Sequence, residues 1–391
     1  MHQRLVEGIM NQPTAPFVET AGLAFLHEFT AQRPALAARR DGFGNLLVRY
    51  RRGPVKRGFR PILFAAHLDH PGFVAERMED GRTLRAAWRG WVRPEYFKGA
   101  RVRFRQDGGW VRGRIVSIVS ARGGGRTRRA KPTARTSARS FGAESPPRAA
   151  LVRVAESVRP GAPGMWDFPD AAVSRHLLKA RACDDVAGVG AILCMLDSLC
   201  RKRVRGACYA LFTRAEEVGF AGALAACANG FVPRRCVVVA IECSKAITGV
   251  AMGGGPVLRV GDKATVFTPA ATAFCQSVAE DLAVRDSGFR YQRKLMDGGT
   301  CESTVYCHYG YDATGICLPL LNYHNMDTER RRIAPEMIDL RDLENLIKWF
   351  EALVRTRRRF DGTHPGLDAR LAALWKRHRP VLSRTADAVH P

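Results

Sequence analysis

Four apolar runs punctuate this chain: Pro61-Ile-Leu-Phe-Ala-Ala66, Ala207-Cys-Tyr-Ala-Leu-Phe212, Cys236-Val-Val-Val-Ala-Ile241 and Thr314-Gly-Ile-Cys-Leu-Pro319. Each is of strand length and none carries a charge, the pattern of strands covered on both faces. Helical spacing fills the intervals. Residues 3–30 place Leu5, Ile9, Phe17, Leu23 and Phe25 on a helical period, interrupted at Pro13 and Pro16. Further helices are predicted near 185–200 and 217–229. Arg341 to about Arg357 is amphipathic through Leu343, Leu346, Ile347, Phe350 and Leu353. Asp41-Gly-Phe-Gly-Asn45 reads as a turn before a short strand, Leu46–Tyr50. Strands alternating with helices predict an α/β fold, a largely parallel sheet with helices on both faces.

The period changes to two after residue 75. Arg101-Val-Arg-Phe-Arg105, then Asp107-Gly-Gly109, then Trp110-Val-Arg-Gly-Arg-Ile115 describe a hairpin with one wet, basic face. Several such strands suggest a small β-barrel module. Within it, residues 121–149 are rich in Gly, Ser, Thr, Pro and Arg and read as a disordered loop. The expected division is residues 1–74 with 172–352 as one discontinuous domain and 75–171 as an inserted β domain. Residues 353–391 form a basic tail, helical around Leu367–Trp375.

Composition narrows the class. At 391 residues, 46% hydrophobic and 25% charged, the chain suits two globular domains and excludes collagen, extended coiled coil and wholesale disorder. No stretch reaches the roughly 20 apolar residues of a membrane span. The start, MHQRLVEGIMNQ, lacks a signal peptide's layout, so the cytoplasm is expected. The eleven cysteines are odd in number, none forms a CxxC, and all lie between Cys183 and Cys317. Buried reduced thiols explain them best. The net charge of +25 is concentrated. Residues 122–148 hold eight Arg or Lys against Glu144, and 355–391 hold nine against Asp361, Asp368 and Asp387. A solvated loop and tail account for this, and nucleic acid is not the expected partner.

Five segments carry metal-ligand side chains. They are His67-Leu-Asp69-His70, Asp184-Asp185, Glu216-Glu217, Glu242 after Val-Val-Val-Ala-Ile, and Asn322-Tyr-His324. Four directly follow an apolar strand, and ligands of open α/β sheets gather at the carboxyl ends of strands. Two His and three carboxylates, one bridging, would hold two divalent ions. Mixed N and O donors suit Zn2+, with Co2+ or Mn2+ as alternatives. Each residue has a plainer reading. His67 could be a satisfied core histidine, Asp184 or Asp185 an N-cap, and Glu216-Glu217 charge at a helix start. Glu242 resists this, because a carboxylate ending a buried strand is costly unless paired or metal-bound.

The ordered set, with its flanks, resembles the dinuclear zinc aminopeptidases called glutamyl or deblocking aminopeptidases, whose best-known members form tetrahedral (TET) assemblies. The likeness covers most of residues 1–352. It extends to Asp41–Asn45, Gly254-Gly-Pro-Val-Leu-Arg259, Gly298-Gly-Thr300 and Pro335–Asn345. The resemblance implies a zinc-exopeptidase-like fold with a mixed, mostly parallel sheet and a barrel at the family's dimerisation position. It therefore implies a homo-oligomer, a dimer at least. It implies His67 and Glu242 on one ion, Glu217 and His324 on the other, and Asp184 bridging. Asp69 would orient His67, and Glu216 would be the general base that takes a proton from the attacking water. The implied activity is release of N-terminal residues from peptide substrates.

The sequence departs from the family in places. Glu242 stands where the family usually has Asp, and the related deacylase branch often uses Glu. That keeps a second reading open, an amidohydrolase acting on N-acylated amino acids. A third, non-catalytic or nucleic-acid-associated, would use the basic loop and tail. His70 replaces an acidic or small residue, and is either a third imidazole near the site or a surface residue. Cys301 and Glu302 stand where the family's GGTD motif has its Asp and the next residue.

Overall fold

The computed structural model of the chain describes residues 2–54, 59–120, 145–361 and 365–385. Most of the expected loop at 121–149 lies outside the described residues. Helices α1 (His2–Met10) and α2 (Thr20–Ala31) lead into strands β1 (Leu36–Arg40), β2 (Leu46–Arg52) and β3 (Ile62–His67). Six strands follow: β4 (Gly72–Met78), β5 (Thr83–Arg89), β6 (Arg101–Gln106), β7 (Gly109–Val119), β8 (Ala149–Val154) and β9 (Pro163–Trp166). They close into a barrel of order β4-β5-β8-β7-β6-β9. Period-two alternation turns Phe73, Trp88, Phe104 and Trp166 inward, where their rings pack edge to face or tilted on one another and on Phe97.

The chain then returns through β10 (Ala172–Ser174) and β11 (Leu177–Ala180) to α3 (Val186–Arg201), β12 (Gly206–Thr213), α4 (Ala221–Ala228) and β13 (Val237–Lys245). Next come β14 (Val257–Asp262), α5 (Pro269–Arg285), β15 (Gln292–Met296), α6 (Glu302–His308) and β16 (Asp312–Leu320). Two short strands, β17 (Met326–Asp327) and β18 (Arg332–Ile333), precede β19 (Glu336–Asp339), α7 (Leu340–Arg355) and α8 (Pro365–Thr385).

The main sheet has eight strands in the order β1-β2-β12-β3-β13-β16-β14-β15. Its centre, β12-β3-β13-β16, is parallel throughout. Antiparallel pairings join β1 to β2, β2 to β12 and β14 to β16. The uncharged runs are explained by two covers. Ile62, Phe64, Val237 and Val239 face a core shared with α1, α2, α3, α5 and α7, while Leu63, Ala65, Val238 and Ala240 face α4 and α6. The fold class is that expected: a mixed α/β sheet covered on both faces and interrupted by a small barrel.

Local differences have local causes. The expected N-terminal helix is two helices, because the segment containing Pro13 and Pro16 cannot continue one. The stretch from β14 to α6 was not predicted. Its helix α5 buries Ala271, Thr272, Cys275, Ser277 and Ala279 beside Phe274 and Val278, small residues that write a faint hydrophobic period. Among the described residues, no helix is long and apolar enough to cross a membrane.

Candidate metal centre and active site

The carboxyl ends of the four central parallel strands carry four of the five predicted segments. His67 ends β3. Beyond β12 the chain turns at Ala215 (φ 53°), a left-handed residue, into a single 3-10 turn holding Glu216 and Glu217. Glu242 lies on β13, paired with Cys317 of β16. After β16 a second left-handed turn, at Asn322 (φ 57°) and His324 (φ 53°), swings His324 back over the sheet. Such conformations cost of order 1–3 kcal/mol each and persist where surrounding structure enforces them. Asp184 comes from the loop between β11 and α3, and its peptide bond to Asp185 is cis.

The five proposed ligands meet in two groups that share Asp184. His67, Asp184 and Glu242 form one, and Asp184, Glu217 and His324 the other; in each, the donor atoms lie within 4.8 Å of one another. The Nε2 of His67 is 3.7 Å from Asp184 Oδ1, 3.8 Å from Glu242 Oε2 and 3.9 Å from Glu216 Oε2. The Nε2 of His324 is 3.8 Å from Asp184 Oδ2 and 3.2 Å from Glu217 Oε2. One oxygen of Asp184 thus faces each imidazole. Most of these spacings are too long for hydrogen bonds. They match the separation of about 3.3 Å or more between donors sharing one ion at Zn–N and Zn–O bond lengths. Glu217 Oε1 and Glu242 Oε1 are buried with no hydrogen-bond partner, a costly state for polar atoms unless another group completes them. The donor set therefore fits divalent cations. The extra methylene of Glu242 is accommodated, since its carboxylate reaches the same cluster.

The surrounding contacts fix the imidazoles. His324 Nδ1–H donates to the carbonyl of Trp91 at 2.6 Å, leaving Nε2 a lone pair toward the cluster. Trp91 packs with the barrel core, so the inserted module completes the site. His67 Nδ1 lies 3.1 Å from the carbonyl of Asp69 and 3.6 Å from its carboxylate. The Asp69 carboxylate accepts the backbone N–H groups of Glu216 and Glu217 at 3.0 and 3.1 Å, tying the two strand ends together.

Electrostatics in this crowd run against isolated behaviour. Burial holds Glu216 well above the usual carboxylate range, reinforced by Glu242, Glu217 and Asp69 and opposed by His67. Burial likewise raises Glu217 and Glu242. For His324, burial favours the neutral ring, but Glu217 outweighs it and lifts the pKa to about 9.

Several supporting residues were not predicted. Glu336 accepts backbone N–H groups from Cys183, Asp184 and His324 at 2.7, 3.0 and 2.8 Å, clamping two ligand loops. It sits inside the quoted Pro335–Asn345 stretch, where its placement before α7 looks like ordinary charge near a helix start. His70 is buried in the wall, with Nδ1 2.7 Å from the Asp184 carbonyl and Nε2 3.0 Å from Asn325 Oδ1. It is near the site but its nitrogens are engaged elsewhere. Asp185 occupies the N-cap position of α3, yet its side chain makes no capping bond. Cys301 and Glu302 are both buried. Burial pushes Glu302 up to about 7, and its Oε2 accepts from Tyr306 at 3.2 Å.

A pocket opens beside Glu242 and Asp184, lined by Lys245, Arg259, Met296, Gly298–Thr300 and Tyr323. Arg259 is buried, its Nη1 meets only Ser244 Oγ at 3.2 Å, and its Nε has no partner. Among the described residues no carboxylate lies within 4.0 Å of it, although Glu242 and Asp262 are near enough to favour its charge.

The sequence matches the M42 glutamyl aminopeptidase family over residues 44–349, most of the chain and all five ligand segments. The chain belongs to the M42 glutamyl aminopeptidase family. It is a metal-dependent aminopeptidase, and the M42 match favours that reading over a deacylase. Solved structures agree in fold. An aminopeptidase from the archaeon Desulfurococcus kamchatkensis is 23% identical with a TM-score of 0.70, covering 90% of this chain and 94% of its own. The Pyrococcus horikoshii TET1 peptidase, which assembles into a tetrahedron or an octahedral shell, is 21% identical with a TM-score of 0.70, covering 90% and 99%. A TET aminopeptidase from a marine-sediment thaumarchaeon is 18% identical with a TM-score of 0.70, covering 91% and 97%. No curated protein matches the chain.

Proposed function

We propose that this M42 enzyme uses two divalent ions, Zn2+ foremost, with His67 and Glu242 on one, Glu217 and His324 on the other, and Asp184 between them. The observation that carries this is the pair of ligand groups sharing Asp184. When bound, such ions lower the pKa of a water and polarise the scissile carbonyl. The chain's own contribution is proton handling and orientation. Glu216 lies 3.9 Å from His67 Nε2 and groups within 4.8 Å with His67 and Glu217, apart from the two groups that Asp184 joins. Its position beside the cluster suits a base that accepts the attacking water's proton and returns it to the leaving amine. Asp69 holds Glu216 and Glu217 by their backbone N–H groups, so base and ligand stay in register.

The pocket beside Glu242 supports a preference for an acidic N-terminal residue. The Arg259 guanidinium has carboxylates near it but none in direct contact, and its unpartnered Nε leaves donors free for a substrate carboxylate. Lys245 at the rim adds to the field. The fold-related TET peptidases assemble, which supports a homo-oligomer of at least two chains here. Eleven cysteines with no disulfide support a reducing compartment, the cytoplasm.

The test is a panel of free-amine peptides matched with N-acylated amino acids, with added metal, a chelator control and products read by mass spectrometry. Chelator-sensitive release of N-terminal residues, fastest for Glu or Asp, supports the reading. Cleavage of acylated compounds alone would overturn it.

A further inference from the structure

The helix α8 lies beyond residue 349, where the family match ends, and takes no part in the site. All of its residues from 366 to 384 are exposed to solvent. At 100° per residue, Leu371, Leu374 and Trp375 fall on one arc of about 100°, with His378 among them, ahead of Pro380 inside the helix. Leu371 is 54% exposed, Leu374 40% and Trp375 58%, unusual values for consecutive members of an apolar stripe. Arg370, Arg377 and Arg384 run at intervals of seven along one border of this arc. Lys376 and Arg379 lie on the remaining face, and Asp368 is the single acid.

An aliphatic and indole stripe edged by arginine needs a partner that is apolar and anionic together. Nucleic acid offers the charge without a surface for leucine. A second copy of α8 offers the apolar face but brings the same positive charge. An anionic bilayer offers both: acyl chains at the headgroup boundary for Leu371, Leu374 and Trp375, and acidic headgroups for the arginines. A helix of about 32 Å lying in the interfacial plane with Trp at the boundary is the geometry that such surfaces take up.

We propose that α8 docks the enzyme on anionic lipid surfaces, its Leu371–Leu374–Trp375 face entering the headgroup region and Arg370, Arg377 and Arg384 reading the negative charge. Docking leaves the metal centre unchanged, since no α8 residue lines it.

The experiment is co-sedimentation of the full-length, metal-loaded protein with phosphatidylcholine vesicles, with and without phosphatidylglycerol. Binding is expected to be about tenfold or more tighter with phosphatidylglycerol and to weaken with added salt. The double variant Leu371→Asp, Leu374→Asp is expected to abolish it. Exchange of Arg370, Arg377 and Arg384 for Gln is expected to remove the preference for anionic lipid while leaving peptide hydrolysis intact, which also shows that the variant is folded. No sedimentation with anionic vesicles overturns the proposal. So does sedimentation that the Leu371/Leu374 variant retains, or tight binding of DNA with none to vesicles.

Discussion

Glu216 and Glu217 are neighbours in the chain but not in their surroundings. The left-handed turn at Ala215 and the two backbone bonds to Asp69 point Glu217 at His324 and leave Glu216 beside His67. Replacing the Glu216 carboxylate by an amide keeps shape and removes the proposed base. Glu216→Gln should bind metal as the parent does, by calorimetry, while kcat falls about 10²- to 10⁴-fold; parent-like turnover would sink the assignment. Arg259 invites a different test. Arg259→Met should lower kcat/KM for N-terminal Glu about ten- to a hundredfold, the scale of one buried charge-assisted contact, and leave N-terminal Leu largely unaffected. An equal loss on both substrates would mean that Arg259 supports the wall rather than reads the substrate. The proposed ligands stood out because carboxylates and imidazoles at the ends of uncharged strands are conspicuous. Glu336 and Arg259 were not, because their importance lies in which backbone and pocket they meet. The Trp91 carbonyl leaves no side-chain trace at all.

Among elements, the uncharged strands and the strongly amphipathic α7 declared themselves, since two-sided burial and a wide apolar stripe both write directly into sequence. The strand β1, Leu-Ala-Ala-Arg-Arg, did not: it is an edge strand with four of its five residues exposed, and its order comes from pairing with β2. How α2 meets α3 was also hidden. Asp197 on α3 is bound by Arg33 at 2.8 Å, just past α2, and by Arg201 at 2.7 Å. Burial alone would raise the Asp197 pKa, but the hydrogen bonds from Arg33 and Arg201 prevail and hold it below the ordinary carboxylate value. A depressed folded pKa means that the pair stabilises fully above the ordinary Asp range. That contribution is lost as pH falls through the folded value. Asp197→Asn should therefore cost about 2 kcal/mol near neutral pH. It should also shallow the parent's decline in stability on the acid side. Thermal melts of both proteins from neutral pH downward check this, and parallel curves would count against it.

For the whole molecule, the ligand order matters more than any single ligand. His67 precedes the barrel, and Asp184, Glu217, Glu242 and His324 all follow it. The barrel itself returns the Trp91 carbonyl to His324. Ion binding at the proposed ligands would therefore join the two chain segments that the insertion separates, and would neutralise a cluster in which burial and mutual repulsion raise three carboxylates together. A group that binds the folded state alone stabilises it by RT ln(1 + [L]/Kd), about 2.7 kcal/mol at a hundredfold excess over Kd. Chelation should then abolish activity and lower the melting temperature together. Returning Zn2+ should restore both, with the melting temperature climbing as the logarithm of free metal. The variant His324→Ala removes one ligand while sparing His67 and Glu242. It should keep part of that thermal shift, with a weaker dependence on metal, because the group on His67 still has three donors with Asp184. A full parent-like shift in His324→Ala would place the ions elsewhere, and complete loss of the shift would mean that the two ions bind only as a pair.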